Sequence, residues 1–315
     1  MSKPIVVVGS INLDLVAATK RIPIAGETVT GLSFRTFPGG KGANQAVAAA
    51  RLGAAVSMIG KLGEDAFGIE LRNNLIVANV DTDGVGIVPS FSGVALITTD
   101  EVGQNAITVV AGANGYVSPG DLDANLDLIR NAGFLLTQLE IPLETVERLA
   151  EIASANKIPL MLDPAPARPL PVSLLKRVDW LTPNETETCI LTGLPPGELG
   201  EASLEEAAQK LLVAGCRNVI LKLGGKGCYL ALSDGTRRFV PAYTVKAIDT
   251  TAAGDAFNGA FAVARMRRED PVECAFWASA VAAISVTRAG AQASMPSAME
   301  VDRFLDEMGS VKAEG

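Results

Sequence analysis

The sequence predicts an α/β fold: a three-layer αβα sandwich with a mostly parallel central sheet, plus a small β-ribbon lid. Three observations carry this. Short apolar runs rich in β-branched residues recur along the chain, as buried parallel strands require. Between them lie segments with small or apolar residues at i, i+3, i+4 and i+7, the spacing of a helix buried along one face. Two stretches, about 11–37 and 92–111, break this alternation and read as extended ribbons outside the main sheet.

Taken in order, residues 5–9 form the first buried strand, a continuous apolar run with three valines. Residues 55–59, 133–138, 158–163 and 218–223 read the same way. Helical spacing appears at Ala43, Ala46, Val47 and Ala50, then from Leu143 to Ala153, then from Leu204 to Leu211. A last helix carries Ala256, Phe257, Ala260, Phe261 and Ala264. Runs 93–99 and 105–111 flank Asp100-Glu101-Val102-Gly103, a hairpin signature. Residues 163–171 hold four prolines, so a stiff loop follows the strand there. The polar tail, 307–315, reads as frayed. No repeat, linker or composition break divides the chain, which predicts a single domain over residues 1–315.

Composition removes several classes of function. Lys plus Arg number 27 and Asp plus Glu 35, a formal charge of −8 that disfavours sequence-independent nucleic-acid binding. With no histidine, Ser-His-Asp and Cys-His hydrolase mechanisms are excluded, as are His-ligated metals and histidine general bases. The four cysteines, Cys189, Cys216, Cys228 and Cys274, form no CxxC pair and read as reduced thiols. The first apolar run is too short for a signal-peptide core, and no run approaches the ~20 residues of a membrane span, so a cytoplasmic location is expected.

Five constellations could carry chemistry. The run Gly39-Gly40-Lys41-Gly42-Ala43-Asn44 opens a helix. Glycines there let backbone approach a ligand, and Asn44 is a polar group among alanines. The run is neither GxxxxGK[ST] nor GxGxxG. Asp249-Thr250-Thr251-Ala252-Ala253-Gly254-Asp255 precedes the last helix pattern, and small residues at a helix start present amides to an anion. Asp255 suits either a cap or a base beside that anion. Asn184 and Glu187 stand three apart after a strand, as a capping box or as oxygen ligands to hydrated Mg²⁺. Lys222-Leu223-Gly224-Gly225-Lys226-Gly227 reads as a β-turn or as the floor of a nucleotide site. Asn12 and Asp14, at i and i+2 in extended chain, face the same way and could clamp sugar hydroxyls.

With residues 163–168 and 282–294, these stretches resemble the PfkB-type (ribokinase-like) family of carbohydrate kinases over nearly the whole chain. The resemblance implies ATP-dependent phosphorylation of D-ribose at its 5-hydroxyl. It implies Asp255 as the base and Ala252, Ala253 and Gly254 as the anion hole. Asp14, Gly40, Lys41, Gly42 and Asn44 would hold the sugar, with Asn12 and Glu140 nearby. Asn184, Lys222, Leu223, Gly224, Gly225, Lys226, Gly227, Gly254 and Ser279 would line the ATP site, with Glu187 acting on Mg²⁺ through water. Asp249, Thr251, Ser285, Arg288, Gly290 and Ser294 would bind an activating K⁺, mostly through backbone oxygens. A homodimer formed through the lid is implied as well. The chain departs from the family in two places. Ala252 stands where glycine is frequent, which a backbone anion hole accommodates at negative φ, and Ser279 stands where relatives carry His or Asn near the adenine. Other readings are a PfkB-type kinase for deoxyribose, fructose or a nucleoside, and a non-catalytic sugar-binding regulator. A dinucleotide-dependent dehydrogenase ranks last, because its glycine fingerprint is missing.

Overall fold

The computed structural model describes residues 3–197, 199–267 and 270–313, with side chains through 308. The first strand, β1 (Ile5–Val8), is fully buried, and its continuous apolar sequence covers both faces of the sheet. β2 (Asn12–Ala18) and β3 (Ser33–Gly39) leave that sheet, and α1 (Lys41–Arg51) returns the chain to it. Next come β4 (Val56–Gly63), α2 (Ala66–Val77), β5 (Val80–Asp81) and β6 (Val85–Val88). β7 (Gly93–Thr99) and β8 (Asn105–Val110) form the expected hairpin, and α3 (Pro119–Ala124) and α4 (Leu126–Arg130) follow it. The α/β alternation resumes with β9 (Phe134–Gln138), α5 (Leu143–Asn156), β10 (Leu160–Asp163), α6 (Val172–Leu175) and β11 (Trp180–Leu181). It continues through α7 (Glu185–Thr192), α8 (Glu201–Ala214), β12 (Asn218–Lys222), β13 (Gly227–Leu232) and β14 (Arg237–Pro241). Three helices close the chain: α9 (Ala253–Arg267), α10 (Pro271–Ser285) and α11 (Ala298–Ala313). α11 therefore reaches into the tail expected to fray, and residues 314 and 315 lie outside the described residues.

The main sheet runs β14-β13-β12-β11-β10-β9-β1-β4-β5, with β6 paired to β4. Every pairing from β12 to β5 is parallel, and the antiparallel β13 and β14 form one edge. These two edge strands were not predicted, because their period-2 pattern is short and split by a turn. Each face of the sheet carries its own core. One core gathers Val7, Leu136, Met161 and Ile220 with α1, α9 and α10. The other gathers Val6, Leu135, Leu160 and Val219 with α5 and α8. Neighbouring strand residues thus serve opposite cores, as the pleat requires.

β2, β3, β7 and β8 form a second, four-stranded sheet in the order β3-β2-β7-β8. The two stretches expected outside the main sheet are therefore outside it. One boundary is corrected: most of 19–32 is irregular chain between β2 and β3, where Gly26, Gly31 and Pro23 interrupt pairing.

Small residues position the site. A Cβ on Gly259 of α9 would lie 2.7 Å from the Gln45 carbonyl oxygen and 2.8 Å from the Ala48 methyl. Glycine at that crossing lets α9 touch α1, which sets Asn44 and Gln45 against Asp255.

Candidate active site

Asp255 lies in the first turn of α9 and is buried. Its Oδ2 accepts from Asn44 Nδ2 at 3.0 Å, and its Oδ1 accepts from Gln45 Nε2 at 3.0 Å. Gln292 Nε2 donates to Asn44 Oδ1 at 3.1 Å, which turns the Asn44 amide so that its N–H faces the carboxylate. Burial pushes the Asp255 pKa up; Lys41 opposes this, and Asp163 adds to it. Lys41 feels burial against its charge, but Asp255, Asp163, Glu140 and Glu187 together hold its pKa above the usual lysine value.

On one side of Asp255 stands the predicted sugar set. Asn12 pairs with Gly39, and Asp14 lies two residues on, on the same face of β2. Asn12 Oδ1 accepts from Asn114 Nδ2 at 2.6 Å, so its own NH₂ is the group left for a ligand. Glu140 Oε2 accepts from the Ser10 hydroxyl and from the Lys41 backbone N–H. Gly40 has φ 86 and begins α1; its Cβ would lie 2.7 Å from Asn12 N. Gly42 N–H donates to Ser10 Oγ at 3.3 Å. Asp14 is pushed up to about 7, chiefly by burial and further by Glu140 and Asp255.

On the other side opens a cleft of about 440 Å³, lined by Lys222, Gly224, Gly225, Gly227, Gly254 and Ser279 among others. Six of the predicted nucleotide residues thus meet in one cleft. The other three, Leu223, Lys226 and Asn184, do not line it, which corrects the sequence reading. Leu223 is buried in the core on the opposite sheet face, and Lys226 Nζ lies 3.5 Å from Glu185. Asn184 begins α7 behind the cleft and bridges to Lys222 through main chain. Asn184 and Glu187 form the full capping box, with Glu187 Oε2 accepting from Asn184 N at 2.7 Å. The sequence alone also missed one wall, Ala242, Tyr243, Thr244, Val245 and Ala247, which follows β14 and carries no motif.

The anion-hole segment contains a second correction. Ala252 has φ 59, not the negative value expected for a residue with a side chain. α9 starts one residue later, so Ala252 is the turn that aims the helix end, and its carbonyl accepts from Ala256 N at 2.9 Å. The left-handed conformation costs ~1–2 kcal/mol for a non-glycine residue. Ala252→Gly removes that strain but restores ~0.5–1 kcal/mol of unfolded-chain entropy. A net gain of about 0.5 kcal/mol in urea unfolding is expected. A loss greater than about 1 kcal/mol would show that methyl packing against the core decides the position instead.

Of the six residues expected at a cation site, Asp249 joins Thr251 and Gly290 across two loops. Asp249 Oδ1 accepts from Thr251 N at 2.9 Å and its Oδ2 from Gly290 N at 2.8 Å. Ile248 N and Asp249 N both donate to the Val286 carbonyl. Burial alone would raise the Asp249 pKa, but the bonds from Thr251 and Gly290 hold it below the usual value. Ser285 and Ser294 turn their hydroxyls back onto Ala282 O and Ala291 O, and the Arg288 side chain pairs with Glu300. Side chains of that region are thus internally satisfied, and any cation there would meet main-chain oxygens and one carboxylate.

Sequence reasoning also missed a buried polar chain. Gln45 Nε2 donates to Asp163 Oδ2 at 3.1 Å as well as to Asp255, and Gln138 Nε2 donates to Gln45 Oε1 at 2.7 Å. Lys222 Nζ donates to Asp163 Oδ1 at 3.0 Å. Gln45 was detectable by the argument that found Asn44, a polar side chain among alanines. Asp163 shows only as a carboxylate at the end of a buried strand.

The chain matches the pfkB family carbohydrate kinase over residues 2–298. It is 40% identical over 307 residues to the ribokinase of Haemophilus influenzae, covering 97% of this chain and 99% of that protein. It is 39% identical over 303 residues to the deoxyribokinase of Salmonella typhimurium, covering 96% and 98%. The structure of Arabidopsis thaliana ribokinase complexed with ribose and ATP superposes with a TM-score of 0.89 at 35% identity, covering 97% of this chain and 99% of that one. With a buried carboxylate at a helix start, held by two amides of α1 and followed along the chain by a residue of a glycine-lined cleft, the chain belongs to the PfkB family of carbohydrate kinases.

Proposed function

We propose that this enzyme phosphorylates D-ribose at its 5-hydroxyl with MgATP. The observation that carries the reading is Asp255, held by two amide donors of α1 and adjoining Ala253 and Gly254, which line the cleft. The sugar oxygen attacks the γ-phosphorus, its proton passes to Asp255, and the bond from phosphorus to ADP breaks. The products are ribose 5-phosphate, ADP and a proton. Phosphoryl transfer has a loose transition state, so positioning and electrostatics dominate and no histidine is needed. The amides at the start of α9 face the growing charge without reorganising.

Mg²⁺ arrives with ATP and neutralises phosphate charge. Glu187, a single carboxylate behind the cleft, fits contact through water better than a dedicated cage, since Mg²⁺ keeps several of its waters. The oxygens around Asp249 suit K⁺, which would brace the loop that leads into α9. The second sheet would act as a lid against water. Its register puts Ile107 and Val109 on the same face as Asp14, and both are exposed. That apolar surface supports a homodimer through the lid. Four buried cysteines outside any disulfide support a reducing, cytoplasmic setting. No helix among the described residues is long and apolar enough to cross a membrane.

The test is ADP release from MgATP across ribose, 2-deoxyribose and fructose, with and without K⁺. Preference for ribose with stimulation by K⁺ is expected. Preference for 2-deoxyribose would assign the chain to the activity named for its Salmonella relative. Ribose binding without turnover would indicate a regulator.

The pH dependence has a definite sign. Asp14, pushed up to about 7, is protonated in the free enzyme below that pH and then loses an acceptor for sugar hydroxyls. Ribose affinity is expected to fall roughly tenfold between pH 8 and pH 6. Calorimetric titration across that range checks it, and Asp14→Asn should flatten the slope. Folding has the opposite sign. The favourable contribution of this group is fully present below its unfolded value of 3.8 and is lost as pH rises through about 7.

A further inference from the structure

Two buried carboxylates, Asp163 at the end of β10 and Asp255 in α9, share the NH₂ of Gln45 at 3.1 and 3.0 Å. The second oxygen of Asp163 carries Lys222 at 3.0 Å, and the two side chains are only 3% and 14% exposed. Gln138 fixes the orientation of the Gln45 amide by donating to its oxygen. The base Asp255 is therefore connected, through one amide, to an ion pair between β10 and β12 that spans β11.

We infer that Lys222 balances the charge of Asp163, which Gln45 joins to the base, and so leaves Asp255 ionised and able to accept the proton of the sugar hydroxyl. The inference rests on the kinase reading above and assigns positioning roles to Asp163, Gln45 and Lys222. The charges around Asp255 make such a balance necessary. Asp14 on β2 and Asp163 on β10 act on the base directly, Glu140 after β9 and Glu187 on α7 act on their charged neighbours, and the cations set against them are Lys41 on α1 and Lys222 on β12. Like charges this close favour sharing a proton, and burial favours it further. Without Lys222, Asp163 becomes an unpaired buried charge one amide away from the base. A proton then enters the pair, and the fraction of enzyme with an ionised base falls at neutral pH.

The test uses single-turnover phosphorylation rates at saturating MgATP and ribose between pH 5.5 and 9, so that product release does not mask the chemical step. Lys222→Met is expected to lose about 30-fold at pH 7, to recover as pH rises, and to move the acid limb up by about 1.5 pH units or more. Asp163→Asn is expected to move the limb down. Lys222→Met combined with Asp163→Asn removes the stranded charge. It should regain about tenfold over Lys222→Met at pH 7, with the limb back towards wild type. Melting temperature and ADP binding track the fold of each variant. If Lys222→Met does not fold, Asp163→Asn and the double variant still carry the test.

A pH-independent loss in Lys222→Met that the double variant fails to repair would overturn the inference and make Lys222 a direct nucleotide contact. An unmoved limb in Asp163→Asn would also overturn it. A wild type that turns over no sugar would instead sink the kinase reading itself, so the two failures are distinguishable.

Discussion

Asp255→Asn is expected to lower the rate of ADP release by about 10³-fold or more, as the loss of the base proposed above would. Ribose binding survives within a few-fold, because the hydroxyl contacts proposed for Asp14 and Asn12 are untouched. The substitution is close to isosteric, but not neutral to its neighbours. Both oxygens of Asp255 face N–H donors, from Asn44 and Gln45. An amide at 255 sets its own NH₂ against one of them. If Asn44 turns to meet it, the bond from Gln292 to Asn44 Oδ1 is lost. One such bond is worth about 1 kcal/mol. Removing a buried charge beside Asp163 offsets part of that, so stability should change by no more than about 2 kcal/mol. The checks are the coupled ADP assay, ribose calorimetry and urea unfolding on the same preparation. Activity within tenfold of wild type would place the base elsewhere.

Gly40→Ala is the second large effect, and it acts through backbone. Gly40 has φ 86, and a Cβ there would sit 2.7 Å from Asn12 N and 3.0 Å from Ile11 Cα and Ser10 O. These are main-chain atoms of the β1–β2 connection, which cannot step aside as a flexible side chain can. Strain and overpacking together predict a loss of about 3 kcal/mol. Relief requires β2 and the start of α1 to separate, which moves Asn12 and Asp14 away from Asn44. The KM for ribose should rise at least tenfold while ADP affinity holds within about threefold, since the cleft is built from other loops. Gly26→Ala is the control: its φ is 82, but nothing lies within 4 Å of the added Cβ. It should cost only the conformational strain, about 1 kcal/mol, and leave the sugar KM alone. Equal effects on sugar and nucleotide from Gly40→Ala would show a global loss of fold instead.

How much of this was legible before folding depends on the range of each interaction. Helix starts, buried strands and the glycine run are short-range facts. Ile5 to Val8 is apolar on both faces because both faces are covered, and the sequence shows that directly. The order of the motifs along the chain was enough to indicate the family, with Asp14, Asn44, Gly254 and Asp255 named in advance. The second sheet was visible as an interruption of the alternation, though not its strand order or the irregular segment at 19–32.

What the sequence by itself determined is the alternation of buried strands and helices, the family and the candidate base, because periodicity and local motifs are written within a few residues. Only the tertiary structure decided the φ of Ala252, the Gln45 amide shared by Asp163 and Asp255, the Lys222 pair behind it, and the 242–247 wall of the cleft. Each of these joins residues far apart in the chain or depends on a backbone angle set by packing around it. Charge balance in a buried site is a sum over everything nearby in space, and sequence distance carries no record of that sum.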